Sequence, residues 1–236
     1  MPFGYYGFYL DPTYMLVLIG TLICLWASAK VNSAMNKYHR VYARSGITGA
    51  EAAMRILQYQ GISDVRVECL TGMRGDHYDP RSKTVRLSAE NYNSASITAI
   101  SVAAHECGHA VQHHEAYSFL QLRTMLVPFA NIASNLGFPI ILLGVLLSWN
   151  QVLIEVGIWA FSIGVLFQLV TLPVEFNASK RALELATNYG ILSQDEQQSG
   201  KKVLSAAAFT YVAAAAASIL QLLRLVLLFG GRRRDD

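Results

Sequence analysis

Long apolar stretches, separated by polar segments, dominate the chain. Four of them are long enough, at 1.5 Å per residue, to cross about 30 Å of hydrocarbon as helices. They cover about residues 14–29, 125–149, 152–172 and 206–229. The second stretch joins the third through a very short connection at Trp149, Asn150 and Gln151. These two stretches therefore predict an antiparallel membrane hairpin.

The distribution of Lys and Arg predicts how the spans are oriented, because basic residues beside membrane helices tend to stay cytoplasmic. Four basic residues follow the first span between positions 30 and 44, whereas the turn of the hairpin contains none. We therefore expect the polar segments 30–123 and 174–204 on the cytoplasmic side. A full crossing by the fourth stretch would place the arginines at 232–234 outside. The alternative is that this helix packs on the catalytic region and returns.

The chain begins without the basic region and cleavage site of a signal peptide, so we expect its first apolar stretch to remain as an anchor. Aromatic residues at 5, 6, 8 and 9 precede that stretch. Such residues are typical of the membrane interface, and they predict an interfacial belt there.

The first polar segment predicts a small unit of helices and strands. Residues 48–59 and 93–119 have apolar positions at helical spacing, and 65–67 and 84–87 alternate apolar and polar residues. The predicted fold class is a mainly α membrane protein with about four transmembrane helices and a small β-sheet in its catalytic region.

Composition supports a membrane protein. The chain is 53% hydrophobic and 15% charged, against about a quarter charged in soluble domains, and its mean hydropathy is +0.32. A net charge of +3 without a basic, aromatic stripe argues against nucleic acid as a partner. Cys24, Cys69 and Cys107 are widely spaced and are expected to be free thiols.

The predicted helix 93–119 contains the sequence HECGH, an HExxH motif, at residues 105–109. Residues four apart share one face of a helix, so His105 and His109 can both bind one metal ion, expected to be zinc. Glu106 lies about 100° around the helix and can accept a proton from the attacking water. The motif predicts zinc-dependent peptide hydrolysis, with Glu106 as the catalytic residue.

A catalytic zinc usually has three protein ligands, so a third is expected outside the motif. His113 lies about 12 Å along the helix from His105, too far to share one ion. Gln112 occupies the position where a related motif has Gly. Glu175 is the preferred ligand, because the hairpin returns to the same membrane face just before it. Glu184 is the reserve.

Motifs along nearly the whole chain resemble the YugP-type neutral zinc metallopeptidases of bacteria. The motifs are DHYDP followed by TVRLS, AAHECGHAVQ, a membrane hairpin and VEFNASKRAL. More distantly, the order resembles HtpX-type and CaaX prenyl proteases, which are gluzincins. The resemblance implies one Zn²⁺ per chain, held by His105, His109 and Glu175, in a multi-pass protein of the bacterial cytoplasmic membrane. Two departures are Ser179 and Asn177, where the related patterns have Asp.

The same resemblance implies how a substrate would lie. It places an edge strand above the active-site helix, to which a substrate can add through its backbone; here that strand would be Thr84, Val85, Arg86 and Leu87. An interior strand is the alternative. A donor to the oxyanion is also expected, and Tyr211, Arg181 and His77 are unranked candidates.

The sequence thus predicts a membrane-embedded zinc endopeptidase that cuts membrane or membrane-proximal proteins at the cytoplasmic face. The alternative is a non-catalytic zinc-binding scaffold. A regulatory membrane partner or a homo-oligomer stays open, and few ionisable residues in the spans argue against a transporter. The expected regions are an anchor, the catalytic region, the hairpin, the third-ligand region, and an apolar helix with a basic tail, at 1–30, 31–123, 124–173, 174–204 and 205–236.

Overall fold

The structure, a computed structural model, describes residues 11–71 and 75–230. The predicted aromatic belt and the arginines at 232–234 lie outside these ranges. In chain order the elements are α1 (Tyr14–His39), α2 (Gly49–Tyr59), β1 (Arg66–Leu70), β2 (His77–Asp79), β3 (Thr84–Ser88), α3 (Ala89–Asn93), α4 (Ile97–His114), α5 (Ser118–Leu146), α6 (Gln151–Asn188) and α7 (Gln194–Phe229). The protein is mainly α-helical with one small sheet, as predicted.

Four helices, α1, α5, α6 and α7, are long and apolar enough to cross a membrane. All four extend beyond the predicted spans, and α6 and α7 do so farthest. α6 continues without a break through Pro173 and carries both the third span and Glu175. α7 begins at a capping box formed by Ser193 and Glu196, well before its apolar part. The helices therefore cross the boundaries predicted at 173/174 and 204/205.

α7 lies antiparallel to α1 along the apolar length of both helices. Gly20 faces Ala217, and the rings of Trp26 and Phe209 meet edge to face with centroids 5.0 Å apart. Farther along, the Arg224 guanidinium lies 4.3 Å from the centre of the Tyr14 ring. The last helix therefore packs along α1, and it also contacts α4 in the catalytic region.

The hairpin turn between α5 and α6 lies beside the end of α7. The rings of Trp149 and Phe229 are 5.9 Å apart, and Gln151 Nε2 donates to the Phe229 backbone oxygen at 3.4 Å. Since Tyr14 lies beside Arg224, the start of α1 is near the same end of the bundle. The four long helices thus share one distal end, opposite the catalytic region.

The sheet has the strand order β1-β3-β2, with β1 parallel and β2 antiparallel to β3. The prediction of Thr84, Val85, Arg86 and Leu87 as an edge strand is therefore wrong, because β3 has a neighbour on both sides. β2 lies between the two predicted strands, in a segment where no strand was predicted. Its three residues are too few to show a period of two. β2, not β3, leaves an edge toward α4.

The predicted helix 93–119 is interrupted at both ends. Ser96 caps the start of α4 by accepting from the Ala99 N–H, and α4 ends at His114. Ala116 then has a φ of +53°, a left-handed conformation that turns the chain before α5 begins. α4 is buried against α2, β3, α6 and α7, and this core holds the HExxH segment in place.

Candidate metal centre

His105 and His109 lie one turn apart on α4, and Glu175 reaches them from α6. His105 Nε2 is 3.3 Å, and His109 Nε2 3.6 Å, from the same carboxylate oxygen, Glu175 Oε2. One ligand atom from each residue lies within 4.8 Å of the others. Within the described chain these three residues converge on one point, as expected from the sequence.

The chemistry of these atoms fits a metal ion. The Glu175 side chain is only 3% exposed, and its Oε2 is buried without a hydrogen-bond partner among the described residues. A buried carboxylate oxygen is costly unless a cation or a donor satisfies it. Two imidazole nitrogens and one carboxylate oxygen, with a fourth position left for water, form the ligand set of catalytic zinc sites.

Both histidines are oriented by neutral side chains at their outer nitrogens. Ser179 Oγ lies 3.1 Å from His105 Nδ1, and Gln112 Oε1 lies 3.0 Å from His109 Nδ1. Each oxygen can accept the Nδ1–H proton, which leaves Nε2 unprotonated and directed at the metal. Ser179, where Asp was expected, therefore still contacts His105, but through a hydroxyl.

Gln112 joins α4 to α6. It is completely buried, and its Nε2 donates to the Val174 backbone oxygen at 2.8 Å and to Asn177 Oδ1 at 2.9 Å. The same Asn177 oxygen accepts from Arg181 Nε at 2.8 Å. Asn177, the second departure from the related patterns, is thus a neutral acceptor for two donors. Sequence reasoning did not assign Gln112 a role, because its partners lie more than 60 residues away.

Arg123 is a further residue at the site that the sequence did not reveal. It lies on α5, and its Nη1 is 3.4 Å from Glu175 Oε1, whereas both histidines approach Oε2. This contact favours a carboxylate that binds metal through Oε2 alone. The available signal was an arginine placed directly before a long apolar stretch, where charge is costly without a partner.

Glu106 is held at the edge of the sheet. Its Oε2 accepts the backbone N–H of Tyr78, on β2, at 2.8 Å. The Tyr78 hydroxyl lies 2.9 Å from Nδ1 of His113, so His113 has a structural contact away from the metal ligands. Burial raises the pKa of Tyr78 to about 12, and its phenol therefore stays neutral near physiological pH.

The remaining predicted site residues occupy different places. Tyr211, on α7, is near enough to Glu175 and Glu106 for the charges of both carboxylates to act on its phenol. Arg181 belongs to the surrounding network, where its Nη1 is 2.7 Å from Glu115 Oε2. His77 Nδ1 lies 2.9 Å from the Gly75 backbone oxygen. Glu184, the reserve ligand, is exposed and faces Lys180.

Comparison with known proteins agrees with this geometry. A family model described as "Putative neutral zinc metallopeptidase" matches residues 13–230, which is nearly the whole chain. The chain belongs to this family. The family implies Zn²⁺ as the cofactor, and His105, His109 and Glu175 form a group that could hold it.

A relative of this chain is found in Bacillus subtilis (strain 168), where it is called "Putative membrane protease YugP". The two sequences are 49% identical over 192 residues, which is 80% of this chain and 85% of the relative. No solved structure matches the chain. The resemblance noted in the sequence is thereby confirmed, and the protein is a membrane protein of a zinc metallopeptidase family whose substrates are peptides or proteins.

Proposed function

We propose that this metallopeptidase is a gluzincin-like endopeptidase that cuts membrane or membrane-proximal proteins at the cytoplasmic face of a bacterial membrane. His105, His109 and Glu175 would be the zinc ligands, and Glu106 the general base. The observation that carries the proposal is the convergence of two Nε2 atoms on Glu175 Oε2, a buried oxygen without a hydrogen-bond partner in the described chain.

Glu106 moves the protons of the reaction. Bound zinc would supply a Lewis acid that makes a water molecule more acidic and polarises the scissile carbonyl. The Glu106 carboxylate accepts the proton of that water and passes it to the nitrogen of the leaving amine. The Tyr78 N–H, 2.8 Å from Glu106 Oε2, holds the carboxylate in one orientation for both transfers.

The edge of β2 is the place where we infer that substrate lies. Tyr78 pairs with Val85 of β3, yet its N–H points away from β3 to Glu106. The free edge of β2 therefore faces the HExxH helix. An extended peptide that adds to this edge would run past Glu106, and backbone pairing would make recognition largely independent of side chains.

Tyr211 is the best supported donor to the oxyanion. The charges of Glu175 and Glu106 both act on its phenol, which supports a position near the metal centre, where a hydrogen-bond donor would stabilise developing negative charge. Of the other two candidates, Arg181 already contacts Asn177 and Glu115. His77, which precedes Tyr78 on β2, already contacts the Gly75 backbone oxygen. Arg181 is better suited to positioning the ligand helices.

The bundle supports the orientation of the proposed site. The start of α1, the α5–α6 turn and the end of α7 gather at one end, and the sheet and α4 are at the other. The basic residues between 30 and 44 belong to the catalytic end. By the positive-inside rule this end would be cytoplasmic, with residues 1–30 as anchor and 124–173 as hairpin.

A matched pair of variants separates the endopeptidase from a zinc-binding scaffold. Glu106→Gln should retain zinc and lose about 100-fold or more of the rate of cleaving an unfolded model substrate. Glu184→Gln removes an exposed carboxylate from α6 and should keep both the zinc and the cleavage rate of wild type. Metal analysis and a fluorogenic peptide assay measure the two effects. A wild-type protein that binds zinc but cleaves nothing would favour the scaffold.

A further inference from the structure

A basic cleft lies between α1 and α7 and shares no residue with the metal centre. Its volume is about 690 Å³, and its ten lining residues come from the two helices. None of them is acidic, and four are lysines: Lys30, Lys37, Lys201 and Lys202. This α1–α7 cleft concentrates positive charge on one concave surface.

The chain has six lysines in all, and the four in the cleft differ from the other two in their charge pairing. Lys83 pairs with Asp64, and Lys180 Nζ lies 3.8 Å from Glu184 Oε1. In the described ranges 11–71 and 75–230, the four cleft lysines have no carboxylate at ion-pair distance. Four like charges in one cleft repel one another, and an anion would remove this cost.

Aromatic contacts place the α1–α7 cleft at the membrane interface. Lys30 directly follows the apolar part of α1, and its ammonium is 5.2 Å from the Trp26 ring centre and 5.1 Å from that of Phe209. Tryptophan and lysine are typical of the headgroup level, where one side is apolar and the other wet. Lys37, Lys201 and Lys202 lie on the polar continuation of the two helices.

The remaining lining residues include neutral hydrogen-bond donors and small side chains. Ser33, Gln198 and Ser205 can hydrogen-bond to an anion, and Ala34 and Ala206 leave room for it. A phosphodiester offers several strong acceptor oxygens and a negative charge. Its acyl chains would extend past Trp26 and Phe209 toward the bilayer. The required ligand is anionic at one end and apolar at the other.

From these features we propose that the α1–α7 cleft binds the headgroup of an anionic phospholipid. The lipid phosphate lies among the four lysines, and the bound lipid links α1 to α7 where the helices leave the membrane. A ligand that binds only the folded protein also stabilises it, so anionic lipid raises the unfolding temperature. This proposal is independent of catalysis.

Lipid retention by the full-length protein tests the proposal. Nanodiscs are made from phosphatidylcholine alone or with added phosphatidylglycerol, and native mass spectrometry counts the lipids that stay bound. Wild type should retain phosphatidylglycerol in preference to phosphatidylcholine. Retention should fall about fivefold for each lysine removed in the double variant Lys201→Gln, Lys202→Gln. The unfolding temperature of wild type should be higher with phosphatidylglycerol than without it, and the same double variant should unfold at one temperature in both lipid mixtures.

The control is the double variant Lys83→Gln, Lys180→Gln, which changes the charge equally outside the cleft lysines and should retain lipid as wild type does. An equal loss in both double variants would show general surface attraction and overturn the proposal. Equal retention of both lipids by wild type would also overturn it. Free phosphate is the other possible ligand. If inorganic phosphate added to phosphatidylcholine nanodiscs stabilises wild type as much as phosphatidylglycerol does, the cleft is a site for free phosphate and the proposal is overturned.

Discussion

The backbone of Gly108, inside the HExxH segment of α4, lies directly against the backbone of Ala178 on α6. A methyl group at position 108 would be 2.6 Å from the Ala178 oxygen, closer than real Cβ atoms approach, and 3.2 Å from its Cα. Only glycine permits this approach of the two helices. The approach in turn brings Glu175 to His105 and His109.

Gly108→Ala should therefore separate the two ligand helices. Overpacking of this kind costs about 1–3 kcal/mol, and here the displaced element carries a metal ligand. We expect a clear loss of bound zinc and of activity, measured on purified protein. Gly164→Ala, on the same α6 where the added methyl meets no atom within 4 Å, should leave zinc content unchanged. Equal zinc in both variants would contradict the close approach.

Removal of the third ligand should release the metal. Glu175→Gln keeps the volume of the side chain but replaces the charged oxygen, so we expect most of the zinc to be lost during purification. Atomic absorption gives the zinc content per chain. Glu184→Gln should retain it, because that carboxylate is exposed. If Glu184→Gln loses zinc and Glu175→Gln does not, the ligand assignment is wrong.

The side chains behind the histidines should tune zinc affinity. Ser179→Ala and Gln112→Ala each remove the partner of one Nδ1 atom, and each should weaken zinc binding about 10- to 100-fold. Ser179→Asp should bind zinc more tightly than Ser179→Ala, because a carboxylate accepts the His105 proton more strongly. Competition with a chromogenic chelator measures all three affinities. Unchanged affinity in both alanine variants would show that neither contact orients a ligand.

The shared end of the bundle predicts the orientation in the membrane. One variant carries Ser148→Cys, in the exposed α5–α6 turn, together with Cys69→Ser. A membrane-impermeant maleimide should label this variant in intact cells. Native Cys69, exposed on β1, should be labelled only after the cells are permeabilised. The reverse order would place the metal centre outside the cytoplasm.

The sequence predicted the features that depend on local pattern. An apolar run of sufficient length predicts a membrane helix, and HExxH spacing alone puts His105 and His109 on one helix face. Following the hairpin led to Glu175. The edge-strand prediction failed because strand order depends on β2, a three-residue strand without a recognisable pattern.

Contacts between distant segments could not be predicted in the same way. Gln112 bonds to Val174 and Asn177, and Arg123 reaches Glu175 from another helix. Which buried donor meets which acceptor depends on how closely α4, α5 and α6 approach. The break of the long helix at Ala116 was also missed, because a left-handed alanine leaves no signal in its residue type.

Because α6 is unbroken, its length fixes how far Glu175 lies from the α5–α6 turn. Glu175 lies 24 residues after Gln151, the first residue of the helix, which corresponds to roughly 36 Å along its axis. A hydrocarbon layer is about 30 Å thick, so an upright helix holds the third ligand only a few ångströms above it. The bond that is cut would then be chosen by its height over the bilayer, and a thicker or thinner membrane would shift the cleavage position along the same substrate.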